Sequence, residues 1–407
     1  MVAVRRGLGA ALVVAVVLVG LLAHATAYLA GFTTPAPARA GADEGLPHAV
    51  PGSHQVGVRR LPVDGPTPAL TVWYPASVVP ADGHRLTQSY ALTFLSASST
   101  TAVATAQGRA HLRATPDTAR GPYPLVLLSS GFAITAGSYA WLAEHLASHG
   151  MVVVAPEHEE ALDPRSLWRA TLDRPDDIAA ARAEVTSMTR AGDDLEGLVD
   201  PGSVAVVGHS YGGHTALASG GARIDVDAFE ATCRTAGTPS DPLAFLCDAL
   251  LPHLGALAAD TGTTGAPVDA VVSLAGDAAM FGAPGLSAVT APVLVVGGTA
   301  DADSPFTWSS RLAYDSVSSP RKAEVALVGA EHFVFTGGCG SVRRLLTVVT
   351  TGFCSDPAWD RERARAVTRH YVTAFLLAEL VGSPTAGEAL SPGLADVEDV
   401  RYRAVGH

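Results

Sequence analysis

Short, mainly apolar runs recur along the chain: YPLVLLSSGF (123–132), unbroken up to its serines, MVVVAP (151–156), SVAVV (203–207), VDAVVSLAG (268–276), PVLVVGG (292–298) and AEVALVG (323–329). Runs of this length without polar alternation predict strands covered on both faces. Between them the apolar positions change to helical spacing. In GSYAWLAEHLASHG, Tyr139, Leu142 and Leu146 fall on one face and Gly150 is the stop. Further helices are predicted from about Pro175 to Gly192, from Ser210 onward, after Pro305, and from Asp356 to Val381. Two earlier segments, HQVGVRRLPV and ALTVWYPA, read as an antiparallel hairpin turning at Asp64-Gly65-Pro66. Strands alternating with helices mean an α/β fold with a mainly parallel sheet and helices on both faces. The rhythm breaks at about 223–265, an insertion read as a small cap over the carboxyl edge of the sheet. The predicted domain covers 51–383, with 384–407 as a C-terminal tail.

The amino terminus differs in kind. After Arg5 and Arg6, residues 7–32 carry no formally charged side chain and are long enough to span a bilayer. Residues 1–32 are therefore expected to be a signal peptide or an N-terminal membrane anchor, followed by a Pro- and Ala-rich linker over 33–50. Ala-x-Ala patterns at 25–27 and 38–40 keep cleavage open; both readings imply export, and membrane contact through this segment follows only where it is retained as an anchor. Of the 407 residues, 48% are hydrophobic and 16% charged, so a large core is available and global disorder is excluded. The net charge of −12, without any basic run, argues against nucleic-acid partners. Oligomeric state leaves no signature. Four cysteines form two local couples, Cys233 with Cys247 and Cys339 with Cys354. Four cysteines allow three connectivities, and the local pairing is expected because both couples lie in loop-like excursions. The lack of a Cys-x-x-Cys favours structural disulfides over zinc, and neither a metal nor a cofactor is called for.

The chemistry centres on Gly208-His209-Ser210-Tyr211-Gly212, a G-x-S-x-G turn between a predicted strand and a predicted helix. Flanking glycines let strand and helix pass closely, which pushes the serine hydroxyl out at the end of the sheet. A serine hydroxyl needs a histidine to take its proton and a carboxylate to orient that histidine. In chain order the acid and then the histidine should follow, each after a strand. Asp301 follows PVLVVGGTA and His332 follows AEVALVGA and Glu331. Asp303 is the alternative acid; Asp301 is preferred as the first beyond the strand, before Pro305 turns the loop away. His209 and His214 read as packing or capping groups, and PEHEE (156–160) as the solvated start of a loop rather than a metal site. The oxyanion of an acyl-transfer intermediate would be met by the backbone N–H of Tyr211 and by that of Phe132 in SSGFA.

The segment LSSGFAITAGSYAWLAEHLASHGMVVVAPEHEE (128–160) resembles the oxyanion loop, helix and strand of the plasma and type II platelet-activating-factor acetylhydrolases. GHSYGG is similar to that family's nucleophile turn, GAEHFVF to its histidine segment and VGVRRLPVDGPTPALTVWYPA to its opening hairpin, so the resemblance runs loosely from about Val56 to Leu380. It implies an α/β-hydrolase fold without a metal, with Ser210, Asp301 and His332 as triad and Phe132 and Tyr211 as oxyanion donors. Two positions depart from the family's His-Gly-x-Gly loop: Ser130 stands for the histidine and Ala133 for the second glycine. The implied substrates are short-acyl lipid esters, or the small esters and polyesters of bacterial relatives. An exported peptidase or amidase, and a hydrolase fold that only binds, are the other readings of the same residues.

Overall fold

The computed structural model describes residues 46–61, 68–80, 83–93, 100–190, 192, 195–236, 241–259, 265–337, 356–393 and 397–407. The N-terminal segment and linker up to residue 45, Cys339 and Cys354 lie outside the described residues. Among the described residues no helix is long and apolar enough to cross a membrane.

In chain order the strands are β1 (Gln55–Leu61), β2 (Leu70–Val78), β3 (Arg85–Thr93), β4 (Thr100–Leu112), the two-residue β5 (Thr115–Pro116), β6 (Tyr123–Ser129), β7 (Val152–Pro156), β8 (Val199–His209), β9 (Ala270–Leu274), β10 (Val293–Gly298), β11 (Lys322–Leu327) and β12 (Val400–Val405). The helices are α1 (Ala140–Ser148), α2 (Leu167–Met188), α3 (Tyr211–Ser219), α4 (Val226–Cys233), α5 (Pro242–Leu250), α6 (Leu254–Ala259), α7 (Gly282–Leu286), α8 (Ser310–Ser316), α9 (Arg361–Leu380) and α10 (Pro384–Glu388). All strands join one sheet in the order β12-β11-β10-β9-β8-β6-β7-β2-β1-β4-β3, with β5 beside β2. Its centre, from β11 to β7, is parallel.

The central runs avoid polar alternation because each face has its own core. Val126, Leu128, Val207 and Val272 point to a layer shared with Leu142 and Leu146 of α1 and Val367, Tyr371 and Phe375 of α9. Their neighbours Leu125, Leu127, Val206 and Val271 meet Ile178 and Val185 of α2, Leu217 of α3 and Ala313 of α8. A strand buried on both sides has no solvent face to record. The predicted hairpin of β1 and β2 is antiparallel, with Gln55 opposite Ala76.

Three boundaries differ from the sequence reading. Helix α2 begins at Leu167 and runs through Pro175; tertiary packing on Leu167, Ala170 and Ile178 overrides the proline. The β3–β4 hairpin has no counterpart in that reading. The stretch taken as a tail from 384 carries α10 and then β12, which pairs antiparallel with β11, so the sheet extends past residue 383.

The insertion folds as α4, α5 and α6. Its Phe229, Leu246, Leu250 and Leu257 pack with Tyr211, Ala279 and Met280, and Phe132, Trp168 and Trp308 border the same cluster. The cluster lies beside Phe132 and Tyr211, which follow β6 and β8. A disulfide joins Cys233 at the end of α4 to Cys247 in α5.

Candidate active site

The turn from β8 into α3 shows why the local sequence is what it is. A Cβ on Gly208 would overlap the Gly212 carbonyl, and one on Gly212 would overlap the carbonyl of Ser129 in β6. Strand, helix and neighbouring strand therefore pass at a distance only glycine permits. Ser210 is held there at φ 57° and ψ −123°, a conformation that costs a non-glycine residue on the order of 1–3 kcal/mol. Its backbone N–H is tied to the Leu274 carbonyl of β9 at 2.9 Å.

His332 opens the short turn after β11 and is almost fully buried. Its Nε2 lies 2.8 Å from Ser210 Oγ, and its Nδ1 lies 2.8 Å from Asp301 Oδ2. Asp301 can only accept at that contact, so Nδ1 carries the proton and Nε2 is free to accept from the serine. The other Asp301 oxygen takes the backbone N–H groups of Asp303 at 2.9 Å and Ser304 at 2.7 Å. Asp303 itself is exposed, so it is Asp301 that faces the imidazole. Burial works against a charged His332, but the charge and hydrogen bond of Asp301, with Asp303 and Asp277 behind, outweigh it and hold its pKa above the usual value. Asp277, buried at the end of β9, is itself pushed up to about 7 by that burial.

Phe132 and Tyr211 come together, with ring centroids 6.0 Å apart. Tyr211 is the first residue of α3, where a backbone N–H has no acceptor within its own helix. The amides on either side of Phe132 are pinned: Gly131 N–H donates to the Tyr139 hydroxyl at 3.1 Å and Ala133 N–H to Glu160 at 3.2 Å. Ala133 sits at φ 55°, a left-handed conformation that explains why a glycine suits this position. His209 packs as expected and also bridges: its Nδ1 accepts from Tyr139 at 2.8 Å and its Nε2 donates to the His332 carbonyl at 3.0 Å. Burial, followed by the neighbouring His332, keeps it neutral by lowering its pKa well below the usual value. His214 stacks between Tyr211 and Phe281, at 5.1 and 4.3 Å.

The PEHEE segment is not the solvated loop expected of it. The His158 ring is buried, with Nε2 2.9 Å from Ser129 Oγ and Nδ1 2.7 Å from Asp177 of α2. Glu160 pairs with Arg174 of α2 through two contacts of 2.6 and 2.7 Å. The charge density of the segment was visible in the sequence; its partners, more than a dozen residues away on α2, were not. Among the described residues no group of His, Cys, Asp or Glu is arranged to hold a metal ion.

Residues 86–232 match the chlorophyllase family model. Among characterised proteins, the chain is 28% identical over 214 residues to cutinase est2 of Thermobifida alba, covering 52% of this chain and 53% of that protein. It is 29% identical over 214 residues to cutinase 1 of Thermobifida cellulosilytica, covering 52% and 61%. Over 136 residues it is 30% identical to chloroplastic chlorophyllase-1 of Citrus unshiu, covering 31% and 39%. The chain thus matches roughly half the length of the cutinases. The family-model match includes the G-x-S-x-G turn and strands β6, β7 and β8. With its parallel sheet, its helices on both faces and relatives of this kind, the chain belongs to the α/β-hydrolase superfamily.

Proposed function

We propose that this protein is a serine hydrolase of carboxylic esters, with Ser210 as nucleophile, His332 as general base and then general acid, Asp301 as its orienting carboxylate, and the backbone N–H groups of Phe132 and Tyr211 as oxyanion donors. The observation that carries the proposal is the continuous relay from Ser210 through His332 to Asp301, with both links at 2.8 Å and the serine on a strained turn. In this reading His332 accepts the hydroxyl proton as Ser210 attacks the ester carbonyl. The tetrahedral oxyanion collapses to an acyl-enzyme as the alcohol leaves with that proton, and water repeats the sequence to release the acid. The raised pKa of His332 fits a base that holds the proton in the intermediate.

Short-acyl esters, including lipid esters of the platelet-activating-factor acetylhydrolase type, are the proposed substrates. Phe132, Tyr211, Trp168 and Trp308 lie in one apolar cluster with the residues of the insertion, and bulky aromatics beside the nucleophile favour a shallow acyl site. An exported location, with residues 1–32 as leader or anchor, is proposed with it, and the Cys233–Cys247 bond supports an oxidising compartment. Cys339 and Cys354 are proposed as the second bond.

The test is a fluorophosphonate probe with p-nitrophenyl acetate and a matched anilide. Labelling of Ser210, loss of at least about a thousandfold in kcat/KM in Ser210→Ala, and ester turnover without amide turnover are expected. An unlabelled serine would leave a binding protein, and equal amide turnover a peptidase or amidase.

A further inference from the structure

Arg174 is a buried cation at the centre of the site that the relay does not use. Its guanidinium is 1% exposed, and each of its five N–H groups has an acceptor. Nε donates to Glu160 Oε1 at 2.6 Å and Nη2 to Glu160 Oε2 at 2.7 Å. Nη2 also donates to the Gly131 carbonyl at 3.1 Å, and Nη1 to the Ser130 carbonyl at 2.5 Å and to Ser129 Oγ at 3.4 Å. Glu160 returns to the same loop by accepting the Ala133 N–H. Three consecutive peptide units, on both sides of the Phe132 N–H, are thus gripped by one ion pair. The guanidinium also lies 5.8 Å from the ring centroid of Tyr211, the residue whose N–H is the second proposed donor.

Behind Arg174 the hydrogen bonds continue to the protein's edge. Ser129 Oγ accepts from Arg174 and donates to His158 Nε2, and His158 Nδ1 donates to the partly exposed Asp177. This chain fixes the direction of the Ser129 hydroxyl and, through it, one edge of the guanidinium. Burial works against a charged Glu160, and the charge and hydrogen bonds of Arg174 outweigh it, so the carboxylate stays ionised and the grip persists across the neutral range.

We propose that Arg174, locked to Glu160, is a positioning residue for ester hydrolysis: it holds the 130–133 loop, with Ala133 in its left-handed conformation, so that the Phe132 N–H aims at the oxyanion. This rests on the proposed serine-hydrolase reading. The requirement is for arginine in particular, because the planar fork serves two carbonyls, a hydroxyl and both carboxylate oxygens at once, whereas an ammonium has three donors on one point. A salt bridge that was only structural would change stability without changing the chemical step.

The test compares Arg174→Lys, Arg174→Gln and Glu160→Gln with wild type on p-nitrophenyl acetate. It follows thermal unfolding, kcat and KM separately, and the inhibition constant of a trifluoromethyl ketone that forms a tetrahedral adduct. Removing an oxyanion donor costs roughly 10²–10³ in rate, so a misaimed one should lower kcat by at least about tenfold in Arg174→Lys and by up to about a hundredfold in Arg174→Gln. KM should stay within about threefold, ketone binding should weaken in step with kcat/KM, and the acid limb of the pH profile should stay in place. Folded variants with wild-type kcat would overturn the proposal, and so would failure of all three to fold, which would make the cluster purely structural. Failure of the underlying reading is separate: it would show in wild type as no labelling of Ser210 and no loss in Ser210→Ala.

Discussion

Replacing Asp301 by asparagine should cost far more than the loss of one charge, and the reason lies in the other side of that carboxylate. Oδ1 accepts two backbone N–H groups, from Asp303 and Ser304, at 2.9 and 2.7 Å. An asparagine must keep its oxygen toward these donors, so its NH₂ group turns to His332 Nδ1, now 2.8 Å away across the former hydrogen bond. Nδ1 must then accept, which moves the ring proton to Nε2, the nitrogen that faces Ser210. A base protonated on that nitrogen cannot take the serine proton. The wrong tautomer is worth about 10⁴ in kcat in the well-studied serine-protease triad, or about 5.4 kcal/mol of transition-state stabilisation at about 1.36 kcal/mol per decade. Asp303→Asn should stay within about threefold, since its contact to Asp301 is through a backbone N–H that the substitution leaves intact. The pH profile adds a signed check. In wild type the pKa of His332 is raised, so kcat/KM should fall as pH drops through a value above the usual imidazole pKa of 6.5. Without the Asp301 charge the desolvation that lowers the pKa prevails, so the acid limb of the residual activity should move to lower pH. The assay is kcat/KM on p-nitrophenyl acetate from about pH 5 to 9, with unfolding followed in parallel. If Asp303→Asn is crippled while Asp301→Asn is mild, the assignment of the acid is wrong.

The remaining expectations are independent of this one. Peptide mapping without reduction should recover Cys233 joined to Cys247, and replacing both by serine should lower stability by up to about 3 kcal/mol, the loop-closure value for a separation of 14 residues; an unchanged urea midpoint would deny the bond a stabilising role. Ala133→Gly should leave the thermal midpoint equal or higher, because release of the strain at φ 55°, roughly 1–2 kcal/mol, exceeds or matches the roughly 0.5–1 kcal/mol entropic cost of glycine; a clear drop would contradict the strain argument. In a chain-length series of p-nitrophenyl esters kcat/KM should peak between acetate and hexanoate, since each further methylene gains only about 0.8 kcal/mol before it meets the aromatic wall; a rise toward palmitate would point to a movable cap.

What could be read from the sequence, and what could not, separates by how each residue finds its partners. The central strands were legible because burial on both faces leaves an uninterrupted apolar signal, and the G-x-S-x-G turn because its glycines answer to carbonyls only a few residues or one strand away. The β3–β4 hairpin was not legible: threonine, serine and alanine dominate it, it ends the sheet, and part of β3 is exposed. Strand β12 was hidden for an electrostatic reason. Glu324 is buried in the middle of the apolar run that forms β11, and its carboxylate is met by Arg403 of β12 at 2.8 and 2.9 Å and by Arg311 of α8 at 3.0 and 3.1 Å. Read alone, VRYRAV looks like a solvated tail; paired with β11, one of its arginines joins Arg311 in neutralising an acid that the core could not hold unpaired. Glu160 and Arg174 repeat the logic at the candidate site. In both places a charge inside or beside an apolar run implied a distant counter-charge, and only the fold could say which arginine supplied it. An acid inside a buried strand, as Glu324 in β11, or just beyond one, as Glu160 after β7, is therefore itself a sequence signal: it requires that some apparently exposed arginine be folded against it, and here that requirement accounts for both the edge strand and the residue proposed to aim the oxyanion loop.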